Sequence, residues 1–290
     1  MSPNKADSGA LSPLDAAEEV YETGLHHLHD ATQLSFLKNI YGGLIFGFAG
    51  LFSLVAAAGL PSLAESNPGL PRLIQGATFP IGLVIIYFVG AELFTGYPMW
   101  LAMTALRRKG TPLQYVKNLA VSWLGNLAGT LFSAFFFSYL TETLHEEPYR
   151  SGLISQVTSD VVEAAWHVIF LKAIGCGFLV TLAMFLGTQN RDGISKALGL
   201  HLPFLISTTI RFPHTVEYMY LASIGMMQGA PLSVGAFLWK CILPITLGNT
   251  IGGAVFVGAY NWWVYLNLED GERDRKGGLR LDEHLGLNGS

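Results

Sequence analysis

ALGLHLPFLISTTIRFPHTVEYMYLASIGMMQ, residues 197–228, is as long and as apolar as a membrane span, yet it cannot be one unbroken helix. Pro203 and Pro213 each withhold a backbone donor. Arg211, Pro213, His214 and Glu217 fall near its middle, at a depth where a bilayer offers no water. Ionisable groups and unpaired backbone survive there only where they line a cavity or meet a partner. The stretch is therefore the expected working centre, and His214 is the group that most needs explaining. A bland account of it also exists, in which the ring is a core side chain satisfying neighbouring backbone.

The remainder of the chain fits a membrane-embedded centre. Of its 290 residues 51% are hydrophobic and 13% charged, mean hydropathy is +0.40, and charge is collected in short patches between apolar runs. That is the profile of a polytopic helical membrane protein. Soluble domains need helices with a polar face, which most of these runs lack. No basic stripe suits nucleic acid. Cys176 and Cys241 both sit in apolar runs, which argues against a disulfide framework or a zinc site, and no cofactor is implied. Residues 1–33 are polar and hold no apolar core of the kind a cleavable signal peptide needs.

Six apolar segments follow, at 36–60, 74–106, 115–140, 162–187, 198–227 and 234–266. They define a transmembrane domain over 34–266. It is preceded by an N-terminal segment, 1–33, and followed by a charged, glycine-rich tail, 267–290, expected to be disordered. Within the N-terminal segment residues 1–11 are expected to be disordered. From Ser12, the order Ser-Pro-Leu-Asp supplies an N-cap, a proline at N1 and an acid at N3, opening a short amphipathic helix at the membrane face. Alternating sides from a cytoplasmic N-terminus puts twelve of the 17 Lys and Arg on one face. Only Arg72, Arg150, Lys172 and Lys240 fall on the other, so both termini are expected in the cytoplasm of a plasma-membrane protein. The Asn288-Gly289-Ser290 sequon would then go unused.

The domain reads as two repeats, 34–140 and 162–266. FLKNI at 36–40 is matched by FLKAI at 170–174. Lys117 with Asn126 is matched by Lys240 with Asn249, and MWLA at 99–102 by MYLA at 219–222. Three spans per repeat is an odd number, so the second copy enters from the opposite side. The expected fold is an all-α membrane protein of six transmembrane helices in two inverted three-helix repeats, with the second and fifth broken. GAELFTGYP at 90–98 supplies the second break and would set Thr95 facing His214. The glycine pairs 43/47, 125/129 and 248/252 are spaced for close helix packing. Asn126 and Asn249 either bond a neighbouring helix or the broken backbone, or touch a passing solute.

These residues resemble the formate/nitrite transporters over most of 34–266. The resemblance rests on GAELFTG at 90–96, Phe79 with Leu83, Lys172 with Cys176, Phe212 with His214, and LGNTIGG at 247–253. It implies an aquaporin-like homopentamer in the lipid bilayer, each protomer with its own pore carrying small monovalent anions, often with a proton. It further implies that Thr95 faces His214, that Phe79, Leu83 and Phe94 form constrictions, and that Lys172 attracts anions in the outer vestibule. The phenylalanine expected from the fifth helix aligns near Ser207, which suggests a wider constriction. The chain departs from the family pattern at Gly177 for an asparagine, Pro213 for a glutamate and Tyr218 for an asparagine. Arg211 and Glu217 are additions that partly replace the lost polar groups.

The expected function is transport of a small weak-acid anion of the formate, nitrite, acetate or lactate class, proton-coupled through His214. A bare anion is costly to desolvate in an apolar constriction, whereas its neutral acid passes, and an unperturbed histidine titrates near working pH. A water or polyol channel shares the paired breaks but not this chain's sequence, which lacks Asn-Pro-Ala boxes. A membrane enzyme using His214 with Glu92 or Glu217 lacks a metal-ligand pair or a nucleophile and base at useful spacing.

Overall fold

The computed structural model describes residues 9–267, and most of these are helical; the one β pairing among them is an isolated bridge between Ala10 and Asn190. Residues 1–8 and the tail beyond Asn267, with its sequon, lie outside the described residues. Residues 9–11, expected to be disordered, instead pair with the far end of a span: Leu11 N–H donates to Gln189 O at 2.7 Å and Arg191 N–H to Gly9 O at 3.0 Å.

Helix α1, Pro13–His29, opens as expected, with the Ser12 hydroxyl accepting from Asp15 N–H. Its apolar face does not lie on the membrane. Ala16, Ala17 and Val20 are fully buried against protein, and Gly24 sits so close to Trp100 that a Cβ would come 2.7 Å from its carbonyl oxygen. Arg107 clasps Glu18 with two bonds, 2.9 and 3.0 Å, while lying over the Tyr21 ring. The amphipathic stripe is satisfied by the ends of the spans, so α1 is a docked cap.

In chain order follow α2 Thr32–Ala58, α3 Gly69–Val89, α4 Tyr97–Leu106, α5 Pro112–Tyr139 and α6 Tyr149–Val157. They are succeeded by α7 Trp166–Gln189, α8 Gly193–Thr209, α9 Thr215–Met227 and α10 Val234–Leu266. Five of these, α2, α3, α5, α7 and α10, are long and apolar enough to cross a membrane. The segment at 198–227 contributes no such helix because it is split into α8 and α9. Its break falls at 210–214 alone. Pro203 lies inside α8, which runs on through it, so one of the two prolines expected to interrupt the span does not. Large apolar side chains point outward around the bundle, among them Phe52, Leu113, Leu171 and Trp239, as a surface facing acyl chains requires.

Both breaks use left-handed backbone. Gly90 ends α3 at φ 70°, and Arg211 follows α8 at φ 56°; glycine takes that conformation freely, whereas arginine is held there by its surroundings. The spans meet through small residues. A Cβ on Gly43 would lie 2.4 Å from Asn126 O, and one on Gly177 2.4 Å from Asn249 O. Gly177 is thus a packing residue, the counterpart of Gly43, and not a pore position emptied of an amide. The expected loss of a polar group at Gly177 is corrected accordingly.

Candidate functional site

Each asparagine singled out in the sequence closes one break. Asn126 Oδ1 accepts from Phe94 N–H at 2.7 Å, while its amide donates to Glu92 O at 3.0 Å and Asn39 O at 2.7 Å. Asn249 Oδ1 accepts from Thr215 N–H at 2.8 Å and the Thr215 hydroxyl at 2.9 Å. Its amide donates to Pro213 O at 3.1 Å and Ala173 O at 2.8 Å. A helix break strands donors and acceptors where no water reaches, and one amide side chain meets both kinds. The two asparagines therefore staple backbone. The partners correspond at a spacing of 121, Glu92 to Pro213 and Phe94 to Thr215, so Met99 does not pair with Met219, as the sequence match at 120 suggested; Tyr97 pairs with Tyr218.

The two breaks bring Thr95 and His214 together, both fully buried, with His214 Nε2 2.9 Å from Thr95 Oγ1. His214 is also the N-cap of α9, its Nδ1 accepting from Glu217 N–H at 3.3 Å. An Nδ1 that accepts places the ring proton on Nε2, which donates to Thr95. The bland account of this histidine therefore holds at Nδ1, which satisfies backbone, while Nε2 reaches the other break at Thr95. Thr181 donates to Thr95 O at 3.2 Å and fixes the turn Phe94–Gly96 from α7.

An aromatic cage covers the pair. The Phe46 and Phe204 rings lie 5.0 and 5.4 Å from the imidazole, and Phe79 packs on both at 4.7 and 5.3 Å. The fifth-helix aromatic is thus Phe204, one turn before Ser207, which is itself buried beside the Cys176 thiol. The expectation of a wider passage at Ser207 is corrected by this ring. Leu83 is buried and lines a pocket at the α1 end with Leu93, Glu92, His27 and Trp100. Phe94 is buried at the turn and also lines an apolar cleft between α5 and α10.

Each end of the molecule carries a charged cluster. At the α1 end Glu92 does not face His214. It bonds Lys38 Nζ at 2.9 Å, Asn39 Nδ2 at 3.1 Å and the Tyr97 hydroxyl. His27, Asp30 and Glu92 bring three potential metal-ligating atoms within 4.8 Å of one another, but the Lys38 ammonium already holds the Glu92 oxygen concerned. At the opposite end Lys172 is exposed and shares a small pocket with Arg211, Asp160, Pro213 and Tyr218. Glu217 is buried on the first turn of α9.

The sequence model of the formate/nitrite transporters matches residues 14–263. The chain belongs to the formate/nitrite transporter family. It is a membrane transport protein and not an enzyme, and its activity is the movement of anions across a membrane. Among the formate/nitrite transporters, a probable formate transporter of Methanothermobacter thermautotrophicus is 32% identical over 246 residues, covering 80% of this chain and 88% of the relative. The formate channel FocA of Haemophilus influenzae is 26% identical over 284 residues, covering 90% and 96%. A solved pentameric formate channel with formate bound superposes with a TM-score of 0.70 at 26% identity, over 81% of this chain and 98% of the channel. An FNT family ion channel shares the fold at a TM-score of 0.77 and 24% identity, over 86% and 98%.

Phe46, Leu93, Phe204 and Asp160 were not among the expected site residues. Phe204 was within reach, since residues three apart share a helix face. Asp160 had no signal, because it arrives from a segment between the spans, the π-helical end of α6.

Proposed function

We propose that this chain carries small monovalent weak acids of the formate, nitrite, acetate or lactate class together with a proton. The passage runs through each protomer of a homopentamer. Six spans in two inverted repeats place both termini in the cytoplasm of a plasma-membrane protein. The pentamer is supported by the likeness to a pentameric formate channel, and the repeats by the matched asparagine staples.

The observation that carries the reading is the buried His214–Thr95 hydrogen bond under an aromatic cage. Lys172 draws the anion to the vestibule. Entering the cage strips its water, a cost that falls on the charged form, so the anion takes a proton from the outside water in the vestibule and the species that crosses is the protonated acid. His214 then offers Nε2–H and Thr95 its hydroxyl to the acid's oxygens. With Nδ1 occupied by Glu217 N–H, the imidazole has one proton, and surrendering it would leave an imidazolate. His214 accordingly acts as a hydrogen-bond partner for an acid whose proton travels with it.

In proteoliposomes, formate uptake should rise as external pH falls and should alkalinise the outside, with glycerol flux at background. His214→Phe should assemble normally and lose uptake, because it removes the donor at nearly constant volume. Uptake indifferent to pH with no proton movement, or undiminished uptake by His214→Phe, would overturn this mechanism.

A further inference from the structure

The Lys172 end contains a carboxylate that no span supplies. Asp160 belongs to the π-helical segment Thr158–Val162, which continues α6 ahead of α7, and its side chain reaches across to the broken segment. Arg211 Nη1 lies 3.2 and 3.4 Å from its two oxygens, and the Tyr218 hydroxyl donates to Oδ2 at 2.9 Å. The α1 end is built differently. There Tyr97 donates to Glu92, five residues earlier on the same broken segment, and Lys38 holds Glu92 at 2.9 Å. Five residues before Tyr218 stands Pro213, which has no carboxylate to offer. Lys172, although it lines the same pocket as Asp160, has no hydrogen-bond or ion-pair partner among the described residues. Arg211 Nε is buried and likewise without a partner.

One cation and a phenol thus bond a single carboxylate while a second cation, Lys172, lines the same pocket, and donors are left unfilled. A guanidinium beside a hydroxyl suits a two-oxygen anion, which accepts from both at once. We propose that this cluster is a seat for the transported carboxylate, and that Asp160 is a tethered occupant which the incoming anion must displace. Resting on the transport reading above, this makes Asp160 the residue that sets how tightly the vestibule loads. A group on a short tether acts at an effective concentration of about millimolar, which matches a ligand that has to leave as readily as it arrives. The displaced Asp160 side chain rotates outward from its π-helical segment, where it is already partly exposed at 14%. Lys172 and Arg211 then face the substrate.

The test is Asp160→Asn, which keeps the shape, alongside Asp160→Ala, both in the full-length protein with assembly checked by size-exclusion chromatography. The half-saturating formate concentration for uptake should fall severalfold in Asp160→Asn and further in Asp160→Ala. Adding Tyr218→Phe should return it toward the wild-type value, because a seat donor is lost. The fall should persist at high salt. A half-saturating concentration that stays or rises, or failure of both variants to assemble, would make Asp160 a structural brace and overturn the seat. A fall that vanishes at high salt and ignores Tyr218→Phe would reduce it to long-range charge and also overturn it. Formate binding to the solubilised protein, read by line broadening of 13C-formate, separates this idea from the transport reading. Tighter binding by Asp160→Asn with no weak-acid transport by any form would sink transport and leave the seat standing. Transport with unaltered binding would sink the seat.

Discussion

His214 gives its two nitrogens different partners, and the side chains around it divide in the same way between backbone repair and the proposed passage. Asn249 belongs wholly to repair. Asn249→Leu would strand the Thr215 N–H and the carbonyls of Pro213 and Ala173 in an apolar setting, at about 1–3 kcal/mol for each unsatisfied group. A markedly lowered thermal midpoint of the solubilised protein is expected, together with loss of transport, and Asn126→Leu should behave alike. A variant that unfolded at the wild-type temperature would show that the breaks hold themselves. Gly177 is legible only in the structure. Read from sequence it was a missing asparagine; in place it touches Asn249 backbone, with room for no side chain. Gly177→Ala is expected to cost about 1–3 kcal/mol through overpacking, again read from the thermal midpoint, and Gly43→Ala should match it.

At the scale of elements, α1 shows how a correct local reading can still misplace a helix. The cap, the proline at N1 and the apolar stripe were all visible, because they are properties of neighbouring residues. What the stripe faces was not, since protein and headgroup satisfy an apolar face equally well. The docked position has a consequence for pH. His27 is stacked on Trp100 at 4.4 Å, and burial holds its pKa below the ordinary 6.5, outweighing the nearby carboxylates of Glu92 and Asp30. The undocked helix would therefore bind protons more readily than the docked one. The stabilisation is present above about pH 6.5 and is lost as pH falls toward the lowered value. Hydrogen exchange over 13–29 should be slow at pH 7.5 and quicken below pH 6.5, beyond the intrinsic pH dependence of exchange. His27→Gln should flatten that profile; an identical profile in the variant would assign the effect to other groups.

For the whole molecule, the proposed transport reading makes selectivity depend on which side chains the fold gathers around His214 and Thr95. The aromatic cage draws Phe46 from α2, Phe79 from α3 and Phe204 from α8, so the wider constriction expected near Ser207 loses its basis there. Phe204→Ala should widen the route and raise lactate uptake relative to formate at least severalfold, measured as a ratio in the same vesicles. An unchanged ratio would place the size filter elsewhere. In the proposed vestibule role, the first effect of Lys172 on an approaching anion is through its field. Lys172→Ala should raise the half-saturating concentration severalfold in dilute buffer with little change in maximal rate, and the difference should shrink as salt screens the charge. A defect of equal size at both ionic strengths would contradict a long-range role.

The sequence by itself determined the class of the molecule, the places where two apolar segments must break, and the residues His214, Thr95, Asn126 and Asn249. Each of those follows from hydropathy, proline and glycine chemistry and the cost of polar groups in lipid, which act within a few residues of chain. Tertiary structure alone decided that Phe204 closes the cage, that Gly177 is a contact with Asn249, that α1 docks on protein, and that Asp160 supplies the carboxylate Pro213 lacks. Those outcomes depend on which residues, distant in the chain, share a few ångströms, and a helix face, a small residue or a carboxylate between spans records nothing locally about the partner it will meet.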